Sequence, residues 1–501
     1  MFKSFNGYNL IEAYHRMRHV QKYQPGRVMK KIIEAIIVLI VTLVLWNLPS
    51  SAFGMDGLTL VQQRIIAIFA FATLMWIMEV VPSWATSVAI IGLMLLFCSD
   101  SGIKPMCNPD DVGQLLSYKG VMACFADPVI MLFIGGFILA IAATKTGLDA
   151  QLAKVLLVPF GKKSNMVLLG FLLITGLFSM FVSNTATAAM MLTFLTPVFR
   201  QLPPEGKGRI SLALSIPIAA NLGGMGTPIG TPPNTIALKY LNDPEGLNLG
   251  IGFGQWMLIM VPLVLVLLFI AWILLQKIFP FTQKTIELSI EGGMKKGVQS
   301  KIVIITFIVT VLLWLLDTVT GINSYTVALI PFVVFALTGV ISRKDLEEIN
   351  WSVIWMVAGG FALGYGLNQS GLAELAVESI PFGSFSPILI LILSGIICYI
   401  LSNFISNSAT AALLMPILAI VCGAMGDKLD AIGGTSTVLI GVAIAASSAM
   451  VLPISTPPNA LAYATNLVTQ KDMARIGLIV GLISMGLGYG VLYLIGNLHV
   501  I

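Results

Sequence analysis

Two polar clusters interrupt long apolar runs of the sequence. Each cluster holds a serine and, one helical turn later, a Ser-Asn pair followed by another hydroxyl residue: Ser179-x-x-x-Ser183-Asn184-Thr185 and Ser402-x-x-x-Ser406-Asn407-Ser408. Hydroxyl and amide groups at a half-helix N-terminus suit a carboxylate, and the carbonyls at a half-helix C-terminus suit a cation. A single Ser-Asn pair would more simply serve helix packing. The matched duplicate favours a binding site.

A second duplicated motif contains consecutive prolines. Thr-Pro-Pro-Asn occurs at 231–234, after a glycine-rich run from 223, and again at 456–459. Two prolines remove two backbone donors, and each disfavours helical geometry in the residue before it. A simple proline kink would leave the flanking Thr and Asn unexplained. The motif therefore predicts, in each copy, an unwound stretch with free carbonyls that serves as a binding loop.

Several kinds of chemistry lack their residues. The only histidines are His15, His19 and His499, all outside the predicted membrane core. A Ser-His catalytic pair cannot form there, and the sequence has neither a His-Glu-x-x-His motif nor a Walker loop. The pattern argues against an enzyme and against an ATP-driven pump. An anionic substrate would be held by dipoles, hydroxyls and amides, with bound cations balancing its charge.

Composition sets the class of protein that must position these residues. The chain has 501 residues, of which 57% are hydrophobic and 10% charged, and its mean hydropathy is +0.94. Apolar runs long enough to span a bilayer recur along it, so we predict an all-α polytopic membrane protein. The basic residues lie in short loops and do not form a patch for nucleic acid.

Two apolar segments, 165–199 and 386–421, are too long for one span and too short for two spans with a normal loop. Each is broken by a polar cluster, which is typical of a re-entrant helical hairpin. With both segments re-entering, eleven transmembrane spans remain. Lys and Arg concentrate in alternate loops, which places the N-terminus in the cytoplasm and the C-terminus outside a cell (inner or plasma) membrane.

The motifs recur in one order. Gly-Gly-Phe at 135–137 and 359–361, Ser-Asn, and Thr-Pro-Pro-Asn repeat at offsets of 223 to 225 residues. The loop charges orient the first hairpin inward and the second outward, so the halves are predicted to be inverted repeats, as in alternating-access carriers. The predicted division is a cytoplasmic segment 1–31, a first repeat 32–276 (spans 1–6), a cytoplasmic linker 277–301 and a second repeat 302–501 (spans 7–11).

These paired motifs resemble the divalent anion/sodium symporter family, which includes the bacterial and animal di- and tricarboxylate carriers often called INDY. The resemblance covers nearly the whole chain from about residue 32. It implies a scaffold domain, an elevator-type transport domain and a homodimer. It also implies transport of C4-type dicarboxylates such as succinate, malate, fumarate or 2-oxoglutarate. It implies no cofactor other than Na⁺ as a coupling ion.

The family motifs carry over residue by residue. The implied substrate-binding residues are Ser183, Asn184, Thr185, Thr231, Pro232, Ser406, Asn407, Ser408, Thr456 and Pro457. The implied Na⁺ sites use Ser179, Ser183, Asn184 and the Gly230 carbonyl, and Ser402, Ile405, Asn407 and the Ser455 carbonyl.

This sequence departs from the family pattern in each kind of site. Ser408 replaces the usual threonine, which keeps the hydroxyl and drops a methyl group. Ile405 and Ser455 stand where the family has small residues, and this difference affects whether the second Na⁺ site is kept.

The coupling and the exact cargo stay open at this point. The family also contains exchangers that need no sodium, so Na⁺ symport and dicarboxylate exchange both fit. Citrate and inorganic divalent anions such as sulfate are alternative cargoes. An anion channel fits less well, because two opposed hairpins predict a closed central site and not a continuous pore.

Overall fold

The computed structural model describes residues 25–107, 112–203, 206–243, 246–287, 293, 295–379 and 385–498. The three histidines and most of the predicted N-terminal segment lie outside these residues. Within them the secondary structure is helical, and β-pairing is limited to the isolated bridges Ser99–Leu116 and Lys163–Thr285.

Among the described residues, the first half contains twelve α-helices. They are α1 (Pro25–Asn47), α2 (Leu60–Met78), α3 (Ser83–Phe97), α4 (Lys104–Cys107), α5 (Tyr118–Ala123), α6 (Pro128–Thr146), α7 (Leu148–Leu157), α8 (Ser164–Ser179), α9 (Asn184–Gln201), α10 (Lys207–Gly224), α11 (Pro232–Leu241) and α12 (Phe253–Ile278).

The second half repeats much of this order. Its helices are α13 (Val298–Leu315), α14 (Asp317–Thr320), α15 (Ser324–Val327), α16 (Leu329–Leu337), α17 (Arg343–Glu347), α18 (Trp351–Gln369), α19 (Leu372–Ser379), α20 (Pro387–Phe404), α21 (Asn407–Met425), α22 (Thr435–Ser448), α23 (Pro457–Ala464) and α24 (Gln470–Asn497). Helices α18–α24 correspond in order and approximate length to α6–α12. Short 3-10 turns lie at Ser50–Phe53, Cys124–Ala126, Val158–Phe160 and Gly426–Ile432.

Helix boundaries follow local capping chemistry. Asp127 accepts a hydrogen bond from the Val129 N–H at 2.9 Å and caps α6, whose Pro128 needs no amide donor at the first helical position. Gly147, with φ +72°, ends that helix in the left-handed region that favours glycine. Thr469 and Asp472 form a capping box at the start of α24.

Each predicted hairpin segment folds into two helices that pack together, α8 with α9 and α20 with α21. The chain turns at 180–183 in the first and at 405–406 in the second. The polar clusters do not lie wholly in the turn: Ser183 and Ser406 are helix N-caps, and Asn184 and Asn407 are the first helical residues. The reason is that a serine hydroxyl satisfies one of the free N–H groups of a new helix.

Seven of the described helical segments are long and apolar enough to cross a membrane. They are Leu60–Met78, Tyr118–Thr146, Phe253–Ile278, Val298–Leu315, Pro387–Phe404, Asn407–Ile432 and Gln470–Asn497. Shorter apolar helices are Ser83–Phe97, Ser164–Ser179, Ser324–Leu337 and Thr435–Ser448. Both arms of the second hairpin are among the seven, so length and composition alone do not distinguish re-entry from crossing. The count of eleven spans and the re-entrant character of the hairpins remain predictions.

The halves interlock through reciprocal contacts. In the first half, α11 packs against α21 and α22 of the second half; in the second half, α23 packs against α9 and α10 of the first. Similarly, α3 packs on α18, and α16 packs on α6. Each contact has a counterpart with the halves exchanged, so the motif-bearing helices form one packed unit.

The first glycine of each Gly-Gly-Phe motif lies at one of these crossings. A Cβ on Gly135 would lie 2.1 Å from the Ala328 carbonyl oxygen, just before α16. A Cβ on Gly359 would lie 2.4 Å from the Ser87 Cβ, in α3. Small residues let helices approach this closely in a membrane. The motif thus joins the two halves at matched points.

We expect Gly135→Ala to destabilise the protein, because the added methyl meets backbone, which cannot rotate away. Overpacking of this kind costs about 1–3 kcal/mol. The measurement is the thermal midpoint of the purified protein in detergent. Gly92→Ala is the matched control, since a Cβ there meets nothing within 4 Å. An equal midpoint for the two variants would contradict the role assigned to this crossing.

Candidate functional site

The two hairpin turns share one local geometry. Ser183 Oγ accepts from the Ala186 N–H at 3.3 Å, and Ser406 Oγ accepts from the Ala409 N–H at 3.2 Å. The N-terminal ends of α9 and α21, which carry partial positive charge, therefore lie at the turns. An anion that reaches these turns would meet favourable dipoles, hydroxyls and amides.

Accessibility supports a contact role for the clusters. In each one the Ser-Asn pair and the next hydroxyl residue are partly exposed, whereas the preceding serine is fully buried. The partly exposed residues are Ser183, Asn184, Thr185, Ser406, Asn407 and Ser408. The fully buried ones are Ser179 and Ser402. A polar surface thus lies over a buried hydroxyl in both halves.

The predicted unwound stretches are present. Helix α10 ends at Gly224 and α11 begins at Pro232, while α22 ends at Ser448 and α23 begins at Pro457. Thr231 and Thr456 are the N-caps, with extended backbones (φ −148° and −141°). Both threonines are buried, Pro232 is partly exposed, and Pro457 is exposed. In each half the threonine before the two prolines is therefore buried, and the first proline is at least partly exposed.

The asparagine that ends each Thr-Pro-Pro-Asn motif holds the break together. Asn234 Nδ2 lies within 2.8–3.3 Å of the carbonyls of Gly224, Met225 and Thr227. Asn459 Nδ2 donates to the carbonyls of Met450 at 2.8 Å and Leu452 at 3.0 Å. We did not assign these asparagines from the sequence, although they belong to the motif that signalled the break.

In the first half, the break is tied to the hairpin turn by Thr227. Its Oγ1 donates a short hydrogen bond to the Met180 carbonyl and accepts from the Gly230 N–H at 3.1 Å. A Cβ on Gly224 would lie 2.7 Å from Asn184 Oδ1, and one on Gly230 would lie 2.4 Å from the Gly224 carbonyl oxygen. The structure therefore places both Asn184 and Gly230 beside Gly224, and the first cation site remains a prediction.

The second half makes the same link with different residues. Asn403 Oδ1 accepts from the Val451 N–H at 2.9 Å, and Ser455 Oγ lies 3.0 Å from the Asn403 carbonyl oxygen and 3.1 Å from its Oδ1. Sequence reasoning missed Asn403, because its equivalent in the first half is Met180 and no repeat marked it. Ser455 thus contributes a side-chain contact as well as the backbone carbonyl predicted for it.

At the first turn, the Ser179 hydroxyl has more acceptor oxygens around it than it has protons to donate. Ser179 Oγ lies 2.6 Å from Asn184 Oδ1 and 2.8 Å from the Ala220 carbonyl oxygen, and it carries one proton for two acceptors. Buried, neutral oxygens gathered in this way are suitable ligands for a small hard cation.

At the second turn, Asn407 Oδ1 is buried and has no hydrogen-bond donor among the described residues. Ser402 Oγ has the Cys398 Sγ as a neighbour at 4.0 Å, and Ile405 is a buried helix C-cap. Among the described residues, the side-chain oxygens of this second position therefore make fewer hydrogen bonds with one another than those of the first.

Asn221 connects the two halves directly. From α10, its Nδ2 lies 3.1 Å from Thr456 Oγ1 and 3.2 Å from Asn459 Oδ1, both in the second break. Asn221 is buried in an apolar helix. A polar side chain in such a position was the available signal, but its equivalent in the second half is Ala446, so the repeat comparison did not reveal it.

Comparison with known proteins decides the family. The sequence profile of a family described as citrate transporter (CitMHS) matches residues 73–433. The chain belongs to the citrate transporter family. This confirms the relationship that the motifs indicated, and it makes the chain a multi-pass membrane transporter and not an enzyme.

Curated relatives align with most of the transporter. The sodium-dependent dicarboxylate transporter SdcS of Staphylococcus saprophyticus is 32% identical over 485 residues, which cover 89% of this chain and 88% of the relative. The protein of the same name from Staphylococcus aureus (strain USA300) is 30% identical over 456 residues, covering 84% of this chain and 83% of that one.

Two solved structures share the fold of the transporter at low sequence identity. One is the YdaH transporter of Alcanivorax borkumensis, with a TM-score of 0.54 and 12% identity over 83% of this chain and 98% of that one. The other is MtrF of Neisseria gonorrhoeae, which illustrates a class of antimetabolite efflux pumps, with a TM-score of 0.51 and 13% identity over 82% and 94%. At these identities the likeness concerns the fold alone.

We expect Asn221→Ala to lower the thermal stability of the transporter and its uptake rate, because the change removes a hydrogen-bond donor from the Thr456 hydroxyl and from the Asn459 amide oxygen. A lost partner of a buried polar group costs about 1–3 kcal/mol. The readouts are the thermal midpoint and the initial rate of substrate uptake in liposomes. Ser211→Ala, in the same helix, is the control, because its buried hydroxyl has no partner in the described part of the chain. Unchanged behaviour of the Asn221 variant would remove the proposed link.

Proposed function

We propose that the transporter is a secondary carrier that couples uptake of C4-type dicarboxylates, such as succinate, malate, fumarate and 2-oxoglutarate, to Na⁺. The observation that carries the proposal is the pair of hairpin turns. Each offers a helix N-terminus, a capping serine and a partly exposed asparagine, without a charged side chain in the cluster. One carboxylate at each turn would match a dicarboxylate.

The assignment of roles follows from burial. The partly exposed tip residues with Thr231, Pro232, Thr456 and Pro457 would form the substrate pocket. The oxygens of Ser179, Asn184 and the Gly230 carbonyl would bind one Na⁺, and those of Ser402, Asn407 and the Ser455 carbonyl form the second predicted cation position. A cation bound beside the turns would offset the charge of the dianion as it leaves water.

Na⁺ coupling is favoured over exchange by the relatives, since both SdcS proteins are named sodium-dependent dicarboxylate transporters. One structural feature favours exchange. Ile405 brings a buried β-branched apolar side chain, which has no ligand atom, to the second cation position. We therefore assign one Na⁺ to the first position and treat the second as the position in which this chain departs from its family.

Alternating access would take the form of an elevator. The unit of hairpins and broken helices, α8–α11 and α20–α23, would move against the remaining helices. The Lys239–Asp127 ion pair, at 3.2 Å, joins the end of α11 to the start of α6 and would open during that movement. The family resemblance also implies that the carrier is a homodimer in the cell membrane.

The decisive measurement is flux of labelled succinate into liposomes containing the purified protein. We expect uptake that requires an inward Na⁺ gradient and no internal dicarboxylate, because the carrier binds cation and anion together. Uptake that requires internal dicarboxylate regardless of Na⁺ would establish exchange instead. Accumulation of citrate or sulfate in place of succinate would reassign the cargo, and single-channel current in a planar bilayer would contradict a carrier.

Asn184→Ala and Asn407→Ala should each abolish succinate uptake while the protein still folds, because each removes an amide from a proposed binding position. Loss of more than about a hundredfold, near 2.7 kcal/mol, is expected for a group that holds the ion or the substrate. Folding is checked by size-exclusion chromatography. Asn497→Ala, at an exposed asparagine in the last helix, is the control and should transport normally. Near-normal uptake by either test variant would exclude the proposed site.

A further inference from the structure

A basic cavity lies at the junction of α6 and α13. Its volume is about 400 Å³, and its lining includes Lys145, Lys295, Lys296, Gln299 and Ser300. None of its lining residues belongs to the hairpin turns or the helix breaks. The predicted topology places this end of both helices on the cytoplasmic side, where the linker 277–301 meets the membrane. The cavity is therefore a separate feature from the proposed transport site.

Two lysines that line the cavity have no ion-pair partner among the described residues. Lys145 is already paired, since its Nζ lies 2.6 Å from Asp345 Oδ2. Desolvation opposes the charge on Asp345, but hydrogen bonds from Lys145 and Ser342 lower the pKa of that carboxyl to about 2. Lys295 and Lys296 have no ion-pair partner in the part of the chain that the structure describes. Their charges remain available to an anion.

The backbone around these lysines is held in place. The Lys295 N–H donates to the Thr146 carbonyl at 3.0 Å, and Ser300 Oγ donates to the Lys295 carbonyl at 2.6 Å. Helix α13 begins at Val298, and no side chain caps its free N–H groups. The positive end of an 18-residue helix thus adds to the two lysines at the cavity.

An outward apolar surface begins beside the cavity. Val298, which lines the cavity, is 73% exposed, and Ile305, two turns further along the same face of α13, is 62% exposed. Leu337, at the end of the adjacent helix α16, is 83% exposed. In a membrane protein such side chains face hydrocarbon. A molecule with an anionic head and apolar tails would match the cavity and this surface together.

We propose that the cavity binds a phosphate-type anion, and that the phosphate is the headgroup of an anionic phospholipid whose tails lie along α13. Clusters of basic residues at the cytoplasmic face recognise such headgroups through their charge. Lys295, Lys296 and the N-terminus of α13 would hold the phosphate, with Gln299 as a neutral hydrogen-bonding neighbour. A free phosphate has the same head chemistry but no tails, so the two sources can be separated by experiment.

The test uses the full-length protein in detergent, titrated with phosphatidylglycerol, with phosphatidylcholine or with inorganic phosphate. Thermal midpoints and lipid adducts in native mass spectrometry are the readouts. We expect phosphatidylglycerol to raise the midpoint and to remain bound. The double variant Lys295→Gln/Lys296→Gln should require a roughly thirtyfold higher lipid concentration for the same effect.

Two further double variants test whether the lipid response depends on the cavity lysines and on their charge. Lys154→Gln/Lys163→Gln removes two exposed lysines, one in α7 and one directly before α8, which are predicted to lie on the same side of the membrane, and should behave as the parent. Lys295→Arg/Lys296→Arg keeps the charge and should retain lipid binding, which separates lost charge from misfolding. Stabilisation by inorganic phosphate alone would support the anion site and overturn the lipid as its source. Equal lipid responses of the parent and the Gln double variant would overturn the proposal.

Discussion

The candidate site depends on backbone carbonyls that have lost their helical N–H partners and must find other hydrogen-bond donors. In each half a helix stops inside an apolar segment, and two prolines that follow cannot supply N–H groups to the freed carbonyls. At membrane depth each unsatisfied group costs several kcal/mol. The side-chain amides of Asn234 and Asn459 supply the missing donors. Because these carbonyls are paired, an unwound stretch can persist beside the hairpin turn.

The same function is served by different residues in the two halves. The first break reaches its hairpin through the Thr227 hydroxyl, whereas the second is reached by the Asn403 amide and the Ser455 hydroxyl. Asn221 then joins the first half to the second break, and Ala446 leaves the reverse contact unmade. The two predicted cation positions differ accordingly, since Asn184 Oδ1 has Ser179 as a partner and Asn407 Oδ1 has none among the described residues. The repeated motifs give the two halves one architecture, and the residues that differ between the copies make the halves inequivalent.

A neutral site suits a cargo that must be released. A fixed lysine or arginine in the pocket would bind a dianion tightly, and it would remain as a buried, unpaired charge after the cargo left. Hydroxyls, amides and helix ends give weaker attraction, and a mobile cation can add charge only when it is bound. The described ion pairs Lys145–Asp345 and Lys239–Asp127 lie instead near helix ends. Charged side chains therefore pair near helix ends, whereas the hairpin turns present helix dipoles, hydroxyls and amides.

The sequence by itself determined the helical membrane class, the family, the two hairpins and the two breaks, because apolar length, proline pairs and duplicated motifs are local signals. It did not reveal Asn221 or Asn403, because a hydrogen bond between segments distant in the chain leaves no periodic trace. It marked Asn234 and Asn459 as parts of a motif but not their role, because the carbonyls they bind are freed only by the course of the unwound backbone. The sequence indicated that a polar cluster breaks each hairpin segment, but not at which residue the second helix begins. Capping by Ser183 and Ser406 makes the asparagines the first residues of the new helices. Only the tertiary structure decided how the halves interlock, since α11 and α23 each find their partners in the opposite half.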